Sequence, residues 1–464
     1  MSSVRPPARP LAVDLYQLTM AQAYHAAGML DVAVFEFFIR KLPSCRNFLL
    51  AAGLAQAIEF LTGFHFGDDD IDWLRRGRRF RPEFLEYLRE VRFRGDVHAV
   101  AEGTIVFPNE PILRVTAPMP VAQMVESRLI NILHYQTLIA SKAARMVLVG
   151  ADKTMIDFGF RRAHGEEAGL LAARASYIAG FAGTATVEAE RMFAVPSFGT
   201  MAHSFVQAHR SETDAFRLFA RTWPQDAVFL IDTYDTEDGA RRVAALAPEL
   251  AREGIRIKGV RLDSGDLVDL AVKVRRILDA AGLTDARIFA SSSVDEYVIA
   301  RANAAGAPID AYGIGTHLTT SSDAPYLDCA YKLQEYAGLP RRKRSPGKST
   351  WPGRKQVIRR HNESGVMVGD FLCIDGETLP GQPLICPTMA QGSRLAPQEP
   401  LDAIRARVAT NLAALPAALR GLDACAPYPV EISSSLRRLA EEVDGRVAAD
   451  AAKFDRTGPP SAPP

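Results

Sequence analysis

This chain carries almost no net charge: 55 Lys and Arg stand against 54 Asp and Glu, leaving a formal +1. Global attraction to nucleic acid or to an anionic membrane is thereby excluded, so any site for a polyanion has to be local. Cysteine is sparse. Cys45, Cys329, Cys373, Cys386 and Cys425 are scattered without a CxxC pair, and an odd number cannot close an intramolecular disulfide framework. They read as inert or buried thiols in a reducing compartment. No apolar run approaches the roughly 18 residues of a membrane span, and the opening MSSVRPPARPLAVDLYQ has charges where a secretory signal needs an apolar stretch. The expectation is a cytoplasmic protein without membrane or nucleic-acid partners. HxxH and HExxH pairs are missing, which argues against zinc, and no repeat of about 20 to 50 residues is visible.

What is present is an ordinary globular composition, 48% apolar and 23% charged over 464 residues. At about 150 residues per domain this predicts two or three domains. Residues 1–13 and 453–464 are Pro-rich and read as disordered tails. From 14 to 150, helical stretches mix with strand-like runs such as VAVFEFFI, predicting an α+β domain joined by strands from about 356–397. From 151 to 340 short apolar runs (TMIDF, MFAVPSF, AVFLIDTY, IKGVRLDS, ARIFASSS, AYGIGTH) alternate with amphipathic helical segments. Alternation of this kind requires a parallel sheet with crossover helices: an α/β barrel, irregular or incomplete, is favoured, and a doubly wound sheet also satisfies the pattern. Residues 341–355 form a basic loop, within a stretch to 360 that holds nine Lys or Arg and no acid. Residues 398–452 read as helical.

In a barrel the informative side chains follow the strands. Phe158, Arg161 and Arg162 follow TMIDF; Gly199, Thr200 and His203 follow MFAVPSF; Asp232 follows AVFLI. Arg261, Asp263, Ser264, Gly265 and Asp266 follow IKGV; Ser291, Ser292, Ser293 and Asp295 follow ARIFA; Gly315 and Thr316 follow AYG. The run R-L-D-S-G-D sets a cation, carboxylates and a glycine at a strand-to-helix turn, where helix N–H groups favour an anion and carboxylates can hold Mg²⁺. A bare DSGD is more often just a capped helix start, but the repetition of polar strand ends outweighs that reading. His203 could be a base, a metal ligand or a nucleophile, although a lone histidine is more often a packing or capping residue. The 341–360 stretch lacks the spacing of a P-loop, and charge runs are ordinarily solvated, yet its Gly, Pro and Lys suit a loop closing over a polyphosphate.

Seven motifs in order, D-L-Y-Q-L-T-M (14–20), F-E-F-F-I-R-K-L-P (35–43), A-A-G-L (51–54), D-F-G-F-R-R-A-H-G (157–165), P-S-F-G-T-M-A-H-S-F (196–205), G-V-R-L-D-S-G-D (259–266) and S-P-G-K-S-T-W-P-G-R-K (345–355), resemble the nicotinate phosphoribosyltransferases. The resemblance implies a type II phosphoribosyltransferase fold: an N-terminal α+β domain on an irregular TIM-like α/β barrel. It implies a cytoplasmic enzyme of NAD salvage joining nicotinate to 5-phosphoribosyl-1-pyrophosphate, with ATP hydrolysis coupled, Mg²⁺ required, and a homodimer sharing its sites. Carried over residue by residue, Tyr16 is a pyridine-stacking ring donated by the partner subunit, and Phe158 is the opposing ring. Arg161 and Arg261 lie near the nicotinate carboxylate and ribosyl phosphates, Thr200 contacts nicotinate, and His203 is phosphorylated by ATP. Arg40, Ser264, Gly265, Gly315, Thr316 and Lys343 or Lys348 handle phosphates, while Asp232 and Asp263 hold the metal. Two departures stand out. Ala185 in G-T-A-T-V replaces the usual Ser of nicotinate enzymes and the acid of the related nicotinamide enzyme, and Ser292 and Ser293 stand where the family tends to have Gly or Asp. Nicotinamide phosphoribosyltransferase and a catalytically silent phosphoribosyl sensor are the competing readings.

Overall fold

The computed structural model describes residues 9–150 and 152–457. VAVFEFFI forms the strand Val32–Ile39, buried at every position but the first because both faces are covered. It pairs antiparallel with Pro111–Pro118 on one side and Cys329–Tyr336 on the other. The resulting seven-stranded sheet runs Leu339–Pro340, Cys329–Tyr336, Val32–Ile39, Pro111–Pro118, Asp96–Val100, Ile385–Ala390, Ser393–Arg394.

This sheet corrects the domain division drawn from the sequence. Cys329–Tyr336 falls within the stretch assigned to the barrel, yet its register opposes Phe37 to Tyr331, and Tyr331 stacks on Phe35 with ring centroids 4.9 Å apart. Its partner lies at the other end of the chain, and local periodicity carries no information about so distant a pairing. Of the strands between 356 and 397, Ile385–Ala390 joins the N-terminal sheet. Lys355–His361 and Met367–Ile374 instead build a separate four-stranded sheet with Gln382–Pro383 and Val430–Ile432. That last strand also interrupts the segment expected to be helical, which otherwise contains Leu401–Ala414, Ala417–Arg420 and Ser434–Thr457. Helix covers 453–457, and Leu11 and Val13 pack on the N-terminal core, so both tails are shorter than expected. Residues 1–8 and 458–464 lie outside the described residues.

Six strands form an all-parallel sheet in the spatial order Gly183–Thr184, Thr154–Asp157, Ala311–Ile314, Arg287–Ala290, Gly259–Leu262, Val228–Leu230. Neighbours in space are neighbours in sequence, and the last strand closes onto the first through Ile314 opposite Asp157. That cyclic order belongs to a barrel, since a doubly wound sheet reverses direction at a switch point. The barrel is left open beside Val228–Leu230, where MFAVPSF was expected to supply a strand. Instead Val187–Phe193 is helical, and Ser197 alone bridges to Thr184. Helix starts take up some of the polar strand ends: Asp235, Asp266 and Asp295 each accept backbone N–H groups as N-caps.

The two domains are joined by buried charge. Arg174, on the barrel helix Glu166–Ala179, makes paired bonds of 2.8 and 2.7 Å to Glu102 and a third to Gln136. Lys142 and Arg145, on the long helix Glu126–Val149, contact Glu296, and Lys142 also reaches Asp323.

Candidate active site

The first parallel strand ends in Asp157, which is fully buried. Its Oδ1 accepts the Gly159 N–H at 2.8 Å and its Oδ2 accepts the Thr184 hydroxyl at 2.8 Å. Between these anchors Phe158 crosses the neighbouring strand at Gly313, where a β-carbon would lie 2.6 Å from the ring; only glycine leaves it room. Burial pushes the Asp157 carboxyl up to about 6, while the two hydrogen bonds oppose the rise. Because the folded value exceeds the unfolded one near 3.8, the folded state binds more protons in this window. Asp157 therefore makes stability fall as pH rises from about 4 to about 6, by about 3 kcal/mol. Asp157→Asn is expected to lack that loss. Urea unfolding from pH 4 to 8 checks this, and a stability gap between mutant and wild type that stays constant across the range would refute it.

Arg261 leaves the strand Gly259–Leu262 and is held by three bonds: Nε to Thr200 Oγ1 at 3.3 Å, Nη1 to Ser291 Oγ at 3.2 Å and Nη2 to the Met201 carbonyl at 2.7 Å. Its guanidinium lies 6.0 Å from the centre of the Phe158 ring and 3.7 Å from Asp263. Burial draws its proton affinity down, with Asp263 and Asp232 opposing that effect and Arg161 reinforcing it. Asp263 accepts the Ser291 hydroxyl at 2.6 Å and faces His203 Nε2 at 3.6 Å. The other imidazole nitrogen, Nδ1, is 3.2 Å from the Thr233 hydroxyl. Asp232 Oδ2 accepts both the Asp263 N–H and the Ser264 hydroxyl, whereas its Oδ1 is buried with no hydrogen-bond partner.

These groups surround one cavity of about 580 Å³. Of the residues singled out in the sequence, Phe158, Arg161, Ala185, Gly199, Thr200, His203, Arg261 and Asp263 line it, and Asp232 and Ser264 adjoin it through Asp263. Gly265 turns the chain there at φ +76°, and its β-carbon would meet Leu270 at 2.8 Å. Gly315 lies under the Phe158 backbone and caps the short helix Thr316–Thr319. Ser292 and Ser293 adopt φ of +90° and +47°, left-handed conformations that favour glycine.

Besides Asp232, Ser264, Gly265, Gly315 and Thr316 at the strand ends, four further candidates do not line the cavity of the single chain. Tyr16 sits on the helix Leu15–Ala26 with 46% of its surface exposed, and burial of its hydroxyl together with nearby Glu126 pushes that group up to about 12. Arg40 pairs with Asp328 at 2.9 Å. Lys343 and Lys348 are exposed on the basic loop, whose far end is anchored by buried Lys355 through Glu36. Sequence reasoning gave no role to Phe160, Phe198 and Glu188, which line the cavity, or to Thr233 and Asp157. The two phenylalanines lie inside quoted motifs, each next to a glycine, and that spacing was the available signal. Asp157 opens one of the same motifs and Thr233 follows Asp232, but nothing local signals their contacts, Asp157 with Thr184 on another strand and Thr233 with His203 on a helix. Together the walls offer aromatic faces, two guanidinium groups, carboxylates and an imidazole, with Arg261 between the Phe158 ring and Asp263. This arrangement suits a flat anion beside a phosphate-bearing group.

Residues 11–134, 154–337 and 381–440 match, respectively, the nicotinate phosphoribosyltransferase N-terminal domain, the nicotinate phosphoribosyltransferase family and the nicotinate phosphoribosyltransferase C-terminal domain. A nicotinate phosphoribosyltransferase of Mycobacterium tuberculosis is 49% identical over 92% of this chain and 92% of its own length. One from Bacillus subtilis is 42% identical over 80% of this chain and 77% of its own. The crystal structure of human nicotinic acid phosphoribosyltransferase superposes with a TM-score of 0.84 at 30% identity, covering 93% of this chain and 99% of that one.

Proposed function

This chain belongs to the nicotinate phosphoribosyltransferase family, and we propose that its cavity joins nicotinate to 5-phosphoribosyl-1-pyrophosphate, giving nicotinate mononucleotide and pyrophosphate. The observation that carries the reading is the placing of Phe158, Arg161 and Arg261 in one cavity with His203 and Asp263. The ring and the guanidinium groups match a pyridine bearing a carboxylate. The pyridine nitrogen carries no proton, so its lone pair attacks the ribosyl C1 without a base. The residues then act by orienting the two reactants and by stabilising the charge of the departing pyrophosphate.

Asp232 and Asp263 suit Mg²⁺: the orphaned Oδ1 of Asp232 is the donor such an ion requires, and one or two carboxylates completed by substrate oxygens is its usual protein set. When bound, Mg²⁺ neutralises pyrophosphate charge. ATP is the co-substrate that phosphorylates His203, and the enzyme works in the cytoplasm. Arg40, Ser264, Gly265, Gly315, Thr316 and the lysines of the basic loop serve the phosphates. Tyr16, exposed and away from its own cavity, supports a homodimer in which it closes the partner's site.

Two experiments test these points. Nicotinate is expected to be strongly preferred over nicotinamide, since Ala185 offers no acid to an amide. Ala185→Asp should weaken nicotinate use by about 3 kcal/mol, roughly a hundredfold, through a like charge beside the substrate carboxylate. Comparable kcat/KM for both substrates in the wild type, or unchanged selectivity in the mutant, would defeat the assignment. Separately, mixing inactive Tyr16→Ala and Asp263→Ala proteins should restore activity on subunit exchange, because hybrid dimers hold one intact site. Confirmed exchange with no recovery would disprove the shared site.

A further inference from the structure

We propose that Asp157 is a positioning residue that sets the width of the pyridine slot, by holding the Phe158 wall and the Ala185 wall to a common anchor. The two walls come from different strands, Thr154–Asp157 and Gly183–Thr184; one bond of Asp157 fixes the turn after Phe158 and two cross to the Ala185 wall. Its Oδ1 fixes the Gly159 N–H at 2.8 Å, immediately after Phe158. Its Oδ2 takes the Thr184 hydroxyl at 2.8 Å, and that hydroxyl in turn accepts the Thr186 N–H at 3.1 Å, so Ala185 is bracketed. The Asp157 carbonyl accepts the Ala185 N–H itself at 2.7 Å. The side chain is fully buried and touches neither the cavity nor the phosphate end at His203 and Asp263.

A buried carboxylate is an expensive way to join two strands unless both oxygens are used on donors that must not move. Here both are. Position 185 distinguishes ligands and Phe158 provides the flat face, so their separation governs how well a pyridine is gripped. A displacement of even a fraction of an ångström would loosen binding of the ring, while His203 and Asp263, which Asp157 does not contact, stay in place.

The inference rests on the nicotinate reading, and the experiment keeps the two apart. Wild-type protein is first assayed with nicotinate and phosphoribosyl pyrophosphate; absence of transfer would overturn the reading itself. Given transfer, Asp157→Ala and the milder Thr184→Val are each expected to raise the KM for nicotinate at least tenfold. The KM for phosphoribosyl pyrophosphate should stay within about twofold and kcat within about threefold of wild type. Asp157→Asn and Thr184→Ser keep a bonding group at each place and should restore the nicotinate KM to within about threefold. Thr184→Val removes one hydroxyl from a fold otherwise intact, so the test survives if Asp157→Ala fails to fold. Unmoved nicotinate KM in folded Thr184→Val, or parallel changes in both KM values, would overturn the positioning role.

Discussion

Replacing His203 with alanine is expected to abolish both phosphoenzyme formation and stimulation by ATP while leaving some ATP-independent transfer. Incubated with ATP labelled at the γ-phosphate, the wild type should yield a protein-bound phosphate that is lost in acid and kept in base. Protonation of a phosphorylated imidazole makes the ring a good leaving group, and a phosphoserine at neighbouring Ser204 would behave in the opposite way. The geometry favours such a role. His203 lies at the start of the helix His203–Gln207, with Thr233 beside Nδ1 and the Asp263 carboxylate 3.6 Å from Nε2, on the wall of the cavity that also holds Arg261. On the proposed mechanism ribosyl transfer rests on the aromatic and basic walls and on the groups that stabilise pyrophosphate, so the alanine protein should retain the transfer step and lose its coupling. With ATP present, its end point should lie less far toward mononucleotide. A folded His203→Ala protein that still incorporates label and still responds to ATP would remove the imidazole from the mechanism.

The second large effect falls on stability. Arg174→Met should cost about 3 to 5 kcal/mol, because it leaves Glu102 as an uncompensated charge in the interior. Arg174 is 1% exposed and bonds both oxygens of Glu102, whose Oε1 also accepts the Gly53 N–H at 2.6 Å. Burial acts to raise the Glu102 carboxyl, but Arg174 and the backbone N–H groups outweigh it and hold the group below its usual value. A carboxyl lowered on folding contributes stability that is present above its unfolded value and is lost as pH falls through the folded one. The destabilisation by Arg174→Met should accordingly be greatest near neutral pH and shrink in acid. Adding Glu102→Gln should recover part of the loss, since the amide still accepts from Gly53 without a buried charge. Urea midpoints of the single and double variants decide the matter: a single variant within about 1 kcal/mol of wild type would show the pair to be dispensable. Gly53 has φ +101°, and a β-carbon there would press against the Ile132 carbonyl at 3.0 Å; its N–H is held by Glu102, the partner of Arg174, and the A-A-G-L motif does not line the cavity.

Most of the cavity was legible because its residues stand in short motifs whose meaning is local. The turn after a parallel strand places the next few side chains at the mouth of the barrel whatever the rest of the chain does. Phe158, Arg161, Arg261 and Asp263 therefore meet as strand–turn–helix patterning implied, whereas Thr200 and His203 reach the cavity from a segment that is not a strand. The same locality misled where a short run had two possible structures. MFAVPSF has the apolar density of a strand, yet its first residues finish the helix Val187–Phe193 and its proline and serine make a single bridge.

Composition, the alternation of apolar runs and the ordered motifs by themselves determined the fold class, the family and the list of chemistry-bearing residues. Tertiary structure alone decided which distant segments pair and which polar atoms are satisfied. It sent Cys329–Tyr336 to the N-terminal sheet, set Asp157 between two walls, left Asp232 Oδ1 without a partner and kept Tyr16 outside its own cavity. The reason is physical: periodicity reports which face of an element is apolar, but a hydrogen bond between strands depends on register and on the path of the intervening chain. Lys355 and Glu36 stand in two motifs 319 residues apart, and only the fold buries them against each other.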